Sequence, residues 1–239
     1  MTEALPPLKD LARLNRRIVS CIRCPRLIGH CRKVALERRR MYRQESYWGK
    51  PLAGFGDPFA RLLILGLAPA AHGGNRTGRM FTGDRSGDFL FQALYDTGFA
   101  NQPRSTSLDD GLVLTGCYIT AAVRCAPPAN KPTPEEQRRC RPYLEEELKL
   151  LRRVHAVLAL GRVAFDAYLR VIHDRLPARA VLRFGHGVSY DLPGGLPRLY
   201  ASYHPSQRNT QTGTLTREMF LRVLRDIRTY LDRNGAARA

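Results

Sequence analysis

The sequence predicts an α/β fold: a three-layer α/β/α sandwich around a central, mostly parallel sheet. Short apolar runs ended by glycine or proline alternate with amphipathic helical stretches, and a marked helix start falls at Thr133. With 44% hydrophobic residues in 239, the chain can bury one large core. We expect one domain over 1–239, made of a helical N-terminal extension over 1–50 and an α/β core over 51–239.

Residues 8–48 read as helical and arginine-rich, punctuated by Cys21-Ile22-Arg23-Cys24-Pro25, and 49–58 as a turn-rich linker. The run 61–66 is a short apolar strand. Phe89, Leu90, Ala93 and Leu94 then share one helical face within 88–95, and a second strand is expected over 112–120. Thr133-Pro134-Glu135-Glu136 combines a proline at the first helical position with a Thr/Glu capping box, opening a helix to about Leu151. A third strand over 154–160 leads into a helix over 162–171, and further strands are expected over 181–190 and 198–203. Phe220, Val223, Leu224, Ile227 and Leu231 recur at helical spacing in the last segment, with arginines opposite. Folds of this kind bind ligands at the carboxyl ends of their strands. Two loops stand at such ends here, one after Leu65 and one after Tyr203.

The net charge is +18, from 39 basic residues against 21 acidic, and 34 of the basic residues are arginine. Codon bias can favour arginine over lysine, but it does not create the excess over acids. Arginine makes planar, bidentate contacts with phosphate, so nucleic acid is the expected partner. The N-terminus has no apolar leader, and no apolar run is long enough to span a bilayer. A cytoplasmic, monomeric protein with no membrane partner is expected.

Six cysteines in such a chain point to metal before disulfides. Cys21 and Cys24 form a C-x-x-C pair; Cys125 and Cys140 form a second pair about a hundred residues on. Such pairs can hold zinc or an iron–sulfur cluster, and the residues alone leave both open. Cys117 lies in an apolar strand and reads as core; Cys31 is a weaker alternative ligand.

The loop 66–84, GLAPAAHGGNRTGRMFTGD, is unusually long and rich in glycine. Small residues let backbone approach a ligand, and Phe81 offers an apolar face to a planar group. Together with AAVRCAPPANKPTPEE, the later cysteine and Tyr203-His204-Pro205-Ser206, this loop resembles the uracil-DNA glycosylase superfamily, specifically its family 5, over about residues 21–232. The resemblance implies a monofunctional enzyme that flips a deaminated base out of double-stranded DNA and hydrolyses its glycosidic bond. It implies a [4Fe–4S] cluster on Cys21, Cys24, Cys125 and Cys140, tying the N-terminal segment to the core. It also implies that Phe81 stacks on the base, His204 bonds uracil O2 and Asn75 holds the attacking water.

Two positions depart from other families of that group. Ala68 stands where relatives carry an acid or amide, and Ala121 follows Ile119-Thr120 where family 4 has an asparagine. Both changes remove polar discrimination at the base, so hypoxanthine and xanthine are expected substrates beside uracil. The loop 205–210 is the candidate to enter the minor groove, with Ser206 on a phosphate and Arg79 and Arg208 as backbone contacts. The main rival is a non-catalytic, zinc-stabilised nucleic-acid-binding protein, which accounts for charge and cysteines but not for the glycine-rich loop or the His-Pro-Ser run. A phosphate-cradling nucleotide hydrolase is weaker still, because the loop lacks a Gly-Lys-Ser/Thr ending.

Overall fold

The computed structural model describes residues 8–236. Helices α1 (Leu8–Val19) and α2 (Pro25–Glu37) form the N-terminal extension, burying Leu14, Ile18, Leu27 and Cys31. The helix expected to continue to residue 48 ends at Arg38, whose φ is 49°. Beyond it Arg38, Arg39, Arg40 and Arg43 are all exposed, so no apolar stripe remains to hold a helix against the body. Only a 3-10 turn, Arg40–Tyr42, forms there.

The core carries strands β1 (Phe55–Gly56), β2 (Leu62–Gly66), β3 (Cys117–Ala121), β4 (Ala156–Leu160), β5 (Ser189–Tyr190) and β6 (Arg198–Ser202). Its helices are α3 (Gly74–Thr77), α4 (Arg85–Asp96), α5 (Pro134–Leu150), α6 (Arg162–Ile172), α7 (Gln207–Gln211) and α8 (Arg217–Ala236). The sheet order is β1-β3-β2-β4-β6-β5, with the four inner strands parallel and the two short edges antiparallel. Strand β2 is buried throughout, as a parallel strand covered on both faces must be. Its Leu62 and Ile64 meet α4 and α8, while Leu63 and Leu65 face the layer of α5 and α6. This is the expected sandwich. The strand expected over 181–190 shrinks to Ser189–Tyr190, because an edge strand has one partner only and Gly185 and Gly187 interrupt it. The expected Thr133–Glu136 capping box is formed.

One polar network lies inside this apolar body. Glu147 of α5 accepts from Arg124 Nη1 at 3.0 Å and from the Thr120 hydroxyl at 2.7 Å, and its second oxygen also meets Arg124 Nη2. Both charges are fully buried. The pair fastens α5 to the chain leaving β3, one residue before Cys125. Removing one partner of such a pair strands a charge in the core. Glu147→Ala should therefore lower unfolding free energy by about 3–5 kcal/mol, measured as a shift in urea midpoint at constant slope. Replacing both residues with Met should recover most of that loss. An unshifted midpoint in Glu147→Ala would contradict the pairing.

Candidate active site

The loop after β2 is shaped from inside by Arg76. Its Nε donates to the His72 carbonyl and one Nη to the Gly83 carbonyl, each at 2.8 Å, so one guanidinium joins the start of the loop to its end. The other Nη pairs with Glu45, and the plane lies 3.9 Å from the Tyr42 ring centre. Tyr47 Oη meets His72 Nδ1 at 3.1 Å, and backbone bonds run from Trp48 to Arg76 and from Gly49 to Asn75. Residues 42–49, from the N-terminal extension, thus form one wall of the loop.

Phe81 takes φ 55°, a left-handed conformation costly for an aromatic residue. Two glycines make room for it. A Cβ on Gly66, at the end of β2, would sit 2.9 Å from Phe81 Cζ, and one on Gly87 would overlap the Phe81 carbonyl oxygen. Phe81 therefore lies directly over the carboxyl end of the sheet. His204 reaches the same place from the end of β6. The two rings lie near each other and near-parallel, with centroids 5.9 Å apart and an interplanar angle of 28°. Asn209 holds the turn behind the imidazole by donating to the His204 carbonyl at 2.9 Å. Loss of hydration lowers the His204 pKa to about 4, so the ring is neutral near pH 7.

Asn75 is wholly buried in α3. Its Nδ2 donates to the Cys31 carbonyl of α2 at 3.2 Å, whereas its Oδ1 has no protein partner. Asp84 is the only acid in the loop, and sequence reasoning gave it no role. One oxygen caps α4, accepting from Gly87 at 2.9 Å; the carboxylate packs against Gly73, and burial pushes its pKa up. Ala121 is buried at the end of β3, paired in register with Gly66, and Ala68 packs toward the cysteine region.

The residues expected on DNA fall into different settings. Arg208 is exposed on α7, and the Ser206 hydroxyl caps the same helix by accepting from Asn209 at 3.3 Å. Arg79 is buried. Its guanidinium bonds Asp110 at 2.6 Å, Ser105 at 2.7 Å and Thr82 at 3.2 Å, so it braces the loop from within. Pairing across 31 positions leaves no trace in local sequence, which is why Arg79 reads there as a surface charge.

Cys21, Cys24, Cys125 and Cys140 line one small pocket, walled by Leu27, Ile28, Val123 and Tyr143. All are free thiols. Among the described residues no three metal-binding side chains are gathered as tightly as a single ion requires. Cys31 stands beside them, its side chain against Cys125 and its sulfur 3.7 Å from the Ala126 carbonyl, while Cys117 is core.

The profile of the uracil DNA glycosylase superfamily matches residues 53–228. A type-5 uracil-DNA glycosylase of Thermus thermophilus is 54% identical over 207 residues, spanning 87% of this chain and 92% of its own. One of Pyrobaculum aerophilum is 49% identical over 226 residues, covering 90% and 96% respectively. One of Mycobacterium tuberculosis is 47% identical over 218 residues, covering 91% and 80%.

The low proton affinity of His204 has a measurable sign. An unfolded chain takes up this proton below pH 6.5, whereas the folded one resists until about 4. Its contribution to stability is complete above pH 6.5 and fades as pH falls toward 4. An NMR titration of the ring should give a midpoint near 4; a midpoint of 6.5 or higher would mean that the imidazole is hydrated.

Proposed function

We propose that this chain, which belongs to the uracil-DNA glycosylase superfamily and within it to the type-5 branch, flips uracil out of double-stranded DNA and hydrolyses its N-glycosidic bond, opening base excision repair. The carrying observation is the near-parallel approach of Phe81 and His204 over the carboxyl end of the sheet. A planar ring stacked on Phe81 would turn its edge toward the imidazole. As the bond from C1′ to the base lengthens, negative charge gathers on the base, including O2. A neutral imidazole N–H aimed at that oxygen strengthens its hydrogen bond along the way and so lowers the barrier. The sugar left behind is cationic and takes a water at C1′.

In this reading Asn75 holds the water. An amide cannot accept a proton near neutrality, but its buried Oδ1 is an acceptor lacking a partner, and such atoms commonly face ordered water. The bond from Nδ2 to Cys31 fixes which way the amide points. Asp84, with its raised pKa, is the group suited to take the water's proton. Ala68 and Ala121 leave the base edge without polar discrimination, so hypoxanthine and xanthine belong to the proposed substrates. Ser206 and Arg208 are proposed at the phosphates; Arg79 keeps its internal bracing role. Phe81, His204 and Asn75 come from one chain, which suits a monomer, and six unpaired thiols suit the reducing cytoplasm.

For the cysteines we propose a [4Fe–4S] cluster on Cys21, Cys24, Cys125 and Cys140. Four free thiols lining one apolar-walled pocket match four-cysteine ligation. When bound, the group would cross-link α2, the chain after β3 and α5. Its role here is structural, because α2 supplies the Cys31 carbonyl that orients Asn75.

Strand scission by alkali after incubation with duplexes bearing uracil, hypoxanthine or xanthine tests the reaction. Wild type should release all three bases. His204→Ala should lose about two to three powers of ten in rate while still binding DNA, and Asn75→Ala should slow turnover without loss of affinity. Full uracil release by His204→Ala would end the proposed role of the imidazole, and uracil release without hypoxanthine would end the broad specificity. Elemental analysis tests the cluster: wild type should carry iron and acid-labile sulfide, and Cys24→Ala should lose both and melt earlier. Zinc in their place would reverse the assignment.

A further inference from the structure

We propose that residues 38–43 form a second DNA-contact site, in which Arg39, Arg40 and Arg43 hold phosphates beside the flipped nucleotide and Met41 enters the base stack as a wedge. This rests on the glycosylase reading above for its substrate.

The segment is built as a rigid spur. Arg38 ends α2 at φ 49° and donates from Nη1 to the Arg43 carbonyl at 2.8 Å, closing the turn on itself. The Arg39 amide donates to the Tyr47 hydroxyl at 3.3 Å, and that hydroxyl in turn meets His72. Tyr42 packs beneath Arg76, whose other contacts reach Gly83, two residues from Phe81. The spur is therefore mounted on the loop that carries Phe81 and Asn75.

What it presents to solvent is unusual in two respects. Other exposed arginines among the described residues also lack an acid, Arg16, Arg32, Arg104 and Arg208 among them, but they stand singly, whereas three are gathered in this one turn. Among the described residues Arg39, Arg40 and Arg43 are recorded with no carboxylate partner. The nearby acids are otherwise engaged: Glu37 with Lys33 and Glu45 with Arg76. Three unpaired cations within five positions repel one another unless an anion joins them. Second, the tip of the turn is Met41, an unbranched apolar side chain 66% exposed between the arginines. An apolar tip flanked by cations is the chemistry of side chains that insert between base steps while neighbours hold the backbone. The Arg39 charge reaches the loop directly, since it helps burial to depress the proton affinity of His72.

Two variants of the full protein test this, each checked for an unchanged melting temperature. Arg39→Ala/Arg40→Ala/Arg43→Ala is titrated by fluorescence anisotropy onto a duplex bearing a tetrahydrofuran abasic analogue, across a range of salt. Loss of three phosphate contacts should flatten the slope of log K against log salt by about two to three. Met41→Ala is followed on a uracil duplex with 2-aminopurine beside the lesion. It should lower the fluorescence rise on binding and slow single-turnover excision from duplex by about tenfold, with excision from single-stranded DNA unchanged. An unchanged slope overturns the proposal; so does a changed slope with normal fluorescence and duplex rate, because then no wedge operates. Equal slowing on duplex and single strand also overturns it. If wild type releases no uracil from either substrate, the glycosylase reading fails, and the salt slope still decides whether the spur binds DNA.

Discussion

The site depends on one guanidinium. Arg76 is nearly inaccessible to solvent, yet its donors reach both ends of a glycine-rich loop, and Glu45 balances its charge. A loop with so many small residues has a large conformational entropy to lose on folding. A planar fork of donors offsets that loss at several points at once, which a lysine could not do. The strained Phe81 backbone persists because Gly66, Gly87 and this fork determine it together.

How much of this was readable beforehand follows from range. Apolar runs ended by glycine located β2, β4 and β6 to within a residue or two, and Thr133 with Glu136 marked α5, because those signals are local. Phe81, His204 and the four cysteines could be named through motifs. The partners could not: Asn75 meets a carbonyl 44 positions away, and Arg79 meets an acid 31 positions away. Residues 39–48 read as more helix because arginine favours helices. Only the packed structure shows that Tyr42 and Trp48 turn inward without a helical stripe and that the chain instead serves as a wall of the loop.

Charge placement explains how a protein with a net charge of +18 folds at all. Several of its few acids are drawn inside or half-inside, each matched to an arginine: Glu147 to Arg124, Asp110 to Arg79 and Glu136 to Arg26. Those pairs brace the core and the loop. Each pair is neutral, so the net charge of +18 is left to the remaining residues, and polyanions approach with electrostatic help.

Phe81 and His204 stand at the ends of β2 and β6, with β4 between them. Neither adjacent strands nor a single hairpin can bring them together; the sheet must first add β4 to β2 and then β6 to β4. During synthesis the loop emerges some hundred and twenty residues before the imidazole. A nascent or truncated chain lacking its last fifth would therefore carry Phe81, the proposed stacking platform, without the imidazole proposed to meet departing charge. Strand order thus sets when the proposed site can assemble: Phe81 and His204 meet only in a chain completed past β6.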